Sequence, residues 1–344
     1  MVAENERRAR ELELLRLING NWATQAIATA AELGVMDRLA QGARTTKDLA
    51  DGATCHEPSL RRLLRALASL GLCDENEDGT FAPTALGSLL ESDTPDSLQA
   101  YALRYGRHQW PAWGKLLYSV TTGKCARTVF DGTAGFEHLE QDAETAVTYH
   151  RAMAEVTRRI AQAVVPAYDF SKFRRVVDIG GGYGEMLIAI LRACPATFGV
   201  LFDRPAALAG AMRHLQKAGV ADRCDTVSGD FFESVPAGAD GYLLKSVLHD
   251  WDDELASLIL KRCHEAMRKD AKLLIVECLM PERMEASILN RDAARSDLNM
   301  LVMLGGRERT ANEYRSLLQS AGFSVTGIGA AELNFSVIEA IPGQ

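Results

Sequence analysis

Val176-Val177-Asp178-Ile179-Gly180-Gly181-Gly182-Tyr183-Gly184 reads as a buried strand that breaks into a tight glycine turn and opens a helix. In a parallel α/β sheet, such a turn marks the crevice where a nucleotide-like cofactor binds. The spacing is Asp-x-Gly-x-Gly-x-Gly, and Glu185 stands two places after Tyr183, so the dinucleotide pattern Gly-x-Gly-x-x-Gly is not met. An adenosyl cofactor without a diphosphate needs the glycines only for the turn and for close backbone approach.

The 344 residues are enough for two domains, and 47% of them are hydrophobic, as in an ordinary globular protein. A formal charge of −8 opposes a primary role in gripping phosphate backbones. No run approaches the ~18 apolar residues of a membrane span. The N-terminus is charged (Glu4, Glu6, Arg7, Arg8, Arg10) with no apolar signal core behind it. Seven isolated cysteines, without a Cys-x-x-Cys pair, predict reduced thiols in a cytoplasmic enzyme and no structural zinc.

Outward from the turn, the chain divides in two. Leu60, Leu63, Leu64, Leu67 and Leu70 recur at helical spacing and stop at Gly71. Before them, Thr45 or Thr46 caps a short helix. After them, Asp78-Gly79 sits between Leu72 and Phe81 as a hairpin turn. Helix, helix and wing over residues 1–100 predict a helical, winged-helix-like domain. Residues 101–170 continue as helix, and from Arg174 strand and helix alternate, the pattern of a parallel sheet. Strands are expected near 175–180, 198–202, 224–229, 241–247 and 272–278. A closing pair near 323–328 and 333–340 leaves no room for a crossover helix and must be antiparallel. The fold class is α/β: a Rossmann-like doubly wound sheet, mostly parallel, behind an N-terminal helical domain.

Chemistry-bearing residues cluster at strand ends. Asp203 follows Val200-Leu201-Phe202, 23 positions after Gly180. It reads either as an acceptor for both ribose hydroxyls or as a helix cap ahead of Pro205. Asp230-Phe231-Phe232 pairs an acid for an adenine amino group with an aromatic for the ring face, or is a turn acid with core aromatics. Lys245 and His249 leave the fourth strand, with Asp250 read as a cap for the next helix or a loop buttress. His249 and Asp250 lack a third ligand at metal spacing, so no metal is expected. Glu277 ends an apolar strand, where a carboxylate needs a partner. Glu308 lies between Arg307 and Arg309 and reads as functional or as a surface ion pair.

This ordered set, Val-Asp-Ile-Gly-Gly-Gly, Phe-Asp-Arg-Pro, Gly-Asp-Phe-Phe and Lys-Ser-Val-Leu-His-Asp-Trp, resembles the small-molecule O-methyltransferases of the plant caffeic-acid type and their bacterial polyketide and antibiotic relatives. The resemblance spans nearly the whole chain. It implies S-adenosylmethionine as methyl donor, S-adenosylhomocysteine as product, and cofactor contacts at Gly180, Asp203, Asp230, Phe231 and Lys245, with Asp178 and Gly182 in the same turn. It also implies His249 as general base, oriented by Glu277 and Glu308. A homodimer is implied too, in which the helical domain of one subunit closes the partner's pocket. Arg204 departs from the apolar residue that relatives often carry there. Residues 101–344 would then be the catalytic domain, with 171–344 as its Rossmann-like core.

The acceptor pocket is expected from Trp113, Phe136, Tyr149, Met153, Asn299, Met300 and Met303, each of which reads equally as plain core. The acceptor is expected to be a phenolic hydroxyl of a small aromatic or polyketide-type molecule. A phenol near pKa ~10 facing a histidine near ~6.5 leaves proton transfer uphill by roughly 5 kcal/mol. Three rivals differ in chemistry. A winged-helix DNA-binding regulator would use Arg61, Arg62 and Arg65, but the acidic charge opposes it. A nicotinamide oxidoreductase lacks its last glycine. A protein of the same fold and cofactor that methylates nitrogen or carbon, or has lost transfer altogether, is the third; His249 tilts toward a hydroxyl, since an amine seldom needs a strong base.

Overall fold

The computed structural model describes residues 2–132 and 135–343 and divides into two compact units, residues 1–110 and 111–344. In the first unit, helices Val2–Ile18, Asn21–Glu32, Val35–Leu39, Thr46–Ala53 and Glu57–Ser69 precede a small antiparallel sheet. That sheet has strands β1 (Arg44–Thr45), β2 (Cys73–Glu75) and β3 (Thr80–Pro83) in the order β1-β3-β2. Thr45 caps the helix from Thr46 in a reciprocal box with Asp48, and Asp78-Gly79 makes the hairpin turn. Leu60, Leu64 and Leu67 share one buried face over Met36, Leu39 and Phe81.

The second unit carries β4 (Arg175–Ile179), β5 (Phe198–Asp203), β6 (Cys224–Ser228), β7 (Gly241–Lys245), β8 (Lys272–Met280), β9 (Arg309–Thr310), β10 (Phe323–Ala330) and β11 (Phe335–Pro342). Their order is β10-β11-β8-β7-β4-β5-β6, with β9 paired to the end of β8. β4 to β8 run parallel, and β11 runs antiparallel to both β8 and β10. Alternation along the strands puts Val177, Leu244 and Leu273 in one apolar layer. Val176, Leu243 and Leu274 lie in the other. Helices cover both faces, as a parallel sheet requires.

Strand order reverses between β4 and β7, and the crevice for a ligand opens beyond their carboxyl ends. The glycine turn stands there. Gly180 (φ +69°) and Gly182 (φ +59°) hold left-handed backbone, and Gly181 lies against Leu201 and the Asp178 carboxylate. A Cβ at Gly181 would come within 2.5 Å of Leu201 Cδ1 and 2.6 Å of Asp178 Oδ2. Gly181→Ala should therefore cost about 1–3 kcal/mol and lower the melting temperature by roughly 2–12 °C. An unchanged melt would show that the turn tolerates the extra methyl.

Candidate active site

Three strand ends meet around His249. After β7 the chain passes through Ser246, whose φ of +52° is left-handed, and folds Leu248–Asp250 into one tight turn. The Ser246 N–H donates to the Val276 carbonyl (3.0 Å), which keeps the turn beside β8. Glu277, the next residue on β8, is fully buried. Its Oε1 accepts from the backbone N–H groups of Val247 (3.1 Å), Leu248 (3.0 Å) and His249 (3.4 Å). β9 pairs Arg309 with Leu279, which brings Glu308 to the same place. Glu308 is 4% exposed, so it is no surface ion pair. Its Oε1 is 2.9 Å from His249 Nδ1 and accepts from Ser296 Oγ at 2.6 Å.

The other carboxylates complete a ring of negative charge. Glu277 Oε2 lies 3.3 Å from Nδ1, and Asp250 Oδ1 lies 3.4 Å from Nε2. Asp250 is not the helix cap: Asp252 takes that role by accepting from the Leu255 N–H (2.9 Å). Burial disfavours a charged His249, but Glu277, Glu308 and Asp250 outweigh it and raise the imidazole to about 10. This replaces the ordinary value near 6.5 assumed from sequence. Burial pushes Glu277 up, whereas His249, Ser296 and Arg309 hold Glu308 down against its own burial. Nδ1 and the Glu277 and Glu308 oxygens lie within 4.8 Å of one another, a grouping that would also suit a metal ion.

The cofactor-side residues gather at the glycine turn. Asp203 Oδ2 accepts from the Gly182 N–H (2.7 Å) and Oδ1 from the Arg204 N–H (2.7 Å). Arg204, not Asp203, occupies the cap position before Pro205, and its guanidinium pairs with Glu140 (2.8 Å). Asp178 is buried against the turn, with Oδ2 2.6 Å from where a Cβ at Gly181 would lie, and burial raises it to about 7. Phe231 packs near Gly180, where a Cβ would come within 3.6 Å of its ring. Asp230 Oδ1 accepts from the Phe232 N–H (2.8 Å). Lys245 Nζ donates to Thr157 Oγ1 (2.9 Å), and burial lowers its pKa. A Cβ at Gly182 would meet nothing within 4 Å. That open face, beside a half-buried carboxylate and an aromatic ring, suits an adenosyl group.

The expected acceptor residues fall into separate sets. Phe136 packs edge-on against Tyr149 (5.7 Å) and Trp251 (5.9 Å), and Trp251 continues to Phe232 (4.8 Å). Trp113 Nε1 donates to Asn299 Oδ1 (3.2 Å). Met153 is half-buried on the helix that carries Tyr149, and Met300 is buried. Met303 packs with Ala112, Ala126 and Val302 as core. Trp251, Ser296, Thr157 and Arg309 were missed as contributors. Only Trp251 carried a signal, since it closes the histidine motif.

An O-methyltransferase domain family matches residues 113–324, and an O-methyltransferase dimerisation domain matches residues 15–93. The chain belongs to the O-methyltransferase family. It is 43% identical over 329 residues to a phenazine O-methyltransferase, PhzM, of Lysobacter antibioticus, covering 96% of this chain and 95% of that one. The solved structure of LaPhzM superposes with a TM-score of 0.93 at 42% identity, over 96% of this chain and 99% of that one. NcsB1, an O-methyltransferase from neocarzinostatin biosynthesis solved with S-adenosylmethionine and 2-hydroxy-5-methyl naphthoic acid, gives 0.78 at 31% identity, over 93% and 96%. The O-methyltransferase described here takes S-adenosylmethionine as its methyl donor, and it carries the family's dimerisation domain.

The raised imidazole has a pH signature. A proton held at about 10 in the fold and near 6.5 in the unfolded chain stabilises the protein fully below pH ~6.5. That contribution fades as pH rises through about 10. The melting-temperature difference between wild type and His249→Gln should therefore be largest at pH ~6.5 or below and shrink as pH approaches 10. A difference that stays constant over that range would contradict the assignment.

Proposed function

We propose that this enzyme methylates a phenolic hydroxyl on a small, flat aromatic natural product, with His249 holding the proton that the hydroxyl gives up. The observation that carries this reading is the imidazole at the end of β7, bonded through Nδ1 to a buried glutamate and opening beside the glycine turn. S-adenosylmethionine supplies an activated methyl group on a positively charged sulfur. Gly180, Gly182, Asp203, Asp230, Phe231 and Lys245 would hold it, with Asp178 supporting the turn from below.

The charge around His249 sets the proton chemistry. Once the ring is neutral, transfer from a phenol near ~10 to an imidazole near the same value is close to thermoneutral. Because the ring keeps its proton through neutral pH, reaching that neutral form costs about 4 kcal/mol at pH ~7, and turnover should rise as pH approaches 10. In the neutral ring, Glu308 fixes the proton on Nδ1 and leaves Nε2, 3.4 Å from Asp250 Oδ1, for the substrate oxygen, the division of labour seen in hydrolase triads. Each turnover forms one C–O bond, breaks one C–S bond and releases one proton, which passes from the oxygen to His249 and then to solvent. We read the buried cluster as a proton site: Nδ1 and Glu308 Oε1 bond each other, and Ser296 donates to the same oxygen.

Phe136, Tyr149 and Trp251 offer aromatic faces to a planar acceptor, with Trp113, Met153, Asn299 and Met300 as further lining candidates. The phenazine and naphthoate named for the two relatives are acceptors of this kind. A homodimer forms through the N-terminal helical unit, whose first helix exposes Leu12, Leu15 and Ile18. The net charge of −8 and the pairing of Arg61 and Arg65, on the would-be recognition helix, with Glu75 speak against nucleic acid as a partner. No helix among the described residues is long and apolar enough to cross a membrane, and a cytoplasmic location fits seven free thiols.

His249→Ala should lower kcat by ~10²–10⁴-fold with phenolic acceptors while calorimetry still detects donor binding. Undiminished turnover would mean that positioning alone drives transfer.

A further inference from the structure

Arg309 has no exposed surface, and the chemistry above uses its guanidinium only in holding Glu308 down. Such a guanidinium persists only where its donors are all matched. Nη1 donates to the Leu248 carbonyl (2.9 Å), Nη2 to the Trp251 carbonyl (2.8 Å) and Nε to Asp253 Oδ1 (2.9 Å). The two carbonyls flank the dipeptide His249-Asp250. On the opposite side of the same turn, Glu277 Oε1 collects the N–H groups of Val247, Leu248 and His249. One short turn thus has its N–H groups on a buried anion and its carbonyls on a buried cation.

We infer that Arg309 is a positioning residue for His249: with Glu277 it forms a paired-charge clamp that fixes the turn carrying the imidazole. Two further features fit this assignment. Ser246 enters the turn in left-handed backbone, a conformation that an L residue keeps only when its surroundings hold it. The segment that supplies Arg309 is itself pressed onto the turn. The Arg307 N–H donates to the His249 carbonyl (2.9 Å), and a Cβ at Gly306 would lie 2.2 Å from that carbonyl oxygen. Arg309 therefore acts through His249, and the inference rests on His249 being the base.

Arg309→Lys keeps the charge but cannot span two carbonyls, because an ammonium is a point donor without the planar fork. In the full-length enzyme it should lower kcat by about 10²-fold, as small displacements of a catalytic group do. Donor affinity, read by calorimetry, should stay within about twofold. Once the turn loosens, His249 draws away from its carboxylates, so the acid limb of the pH–rate profile should move to lower pH. Asp253→Asn weakens the guanidinium's outer contact, leaves both carbonyl bonds, and should hold kcat within about threefold. Arg309→Met provides a second variant that loses both carbonyl bonds at similar volume, and its kcat should fall at least as far as that of the lysine form.

Wild-type kcat and acid limb in either Arg309 variant would overturn the inference. So would an equal loss in Asp253→Asn, or failure of both Arg309 variants to fold, since each assigns the guanidinium to general stability. An active His249→Ala enzyme would instead sink the base assignment itself, which separates the two failures.

Discussion

A histidine ring enclosed by three carboxylates cannot be an ordinary histidine. Burial alone would strip its proton; Glu277, Glu308 and Asp250 at 2.9–3.4 Å restore it, and the balance places the ring at about 10. That value matches a phenol. Once deprotonated, such a ring takes the proton of a phenol at little cost, and alignment of the reacting atoms remains the main task of the fold.

The sheet is arranged to make that cluster possible. β7 delivers the histidine, β8 delivers Glu277 one residue past its pairing with β7, and the two-residue strand β9 delivers Glu308 by pairing with the end of β8. Glu277 and Glu308 each have a second partner besides His249. Glu277 takes three backbone N–H groups and Glu308 takes Ser296, so neither rests on a single ion pair. The glycine turn stands at the neighbouring strand end, across the point where strand order reverses. Donor and base therefore approach from adjacent strands of one rigid frame.

Much of this was legible in the residues. The turn at 178–184, the alternation of strand and helix, and the ordered motifs at 203, 230 and 245–251 carry the sheet and its ligand crevice, because period and turn chemistry are local properties. The antiparallel closing pair was readable for the same reason: too few residues separate its strands for a crossover. The state of Glu308 was not readable. Between two arginines it looks like surface, and only the pairing of β9 with β8 buries it. Arg309 was hidden likewise, since its partners are backbone carbonyls, which leave no trace in the identity of residues 248 and 251. The imidazole's pKa depends on three carboxylates brought together from positions 250, 277 and 308, and no spacing rule reports that sum. Met303 is buried with Ala112, Ala126 and Val302, and Trp113 packs against the same cluster.

The account stands or falls on the protonation of one ring. Nitrogen NMR of the His249 imidazole in the donor-free enzyme, followed as pH is raised from 5 to 11, measures it directly. The charge cluster predicts both ring nitrogens protonated through neutral pH, with loss of the proton centred near 10. A midpoint at or below the ordinary ~6.5 would show that burial prevails over the carboxylates, and the matched-base mechanism would be wrong.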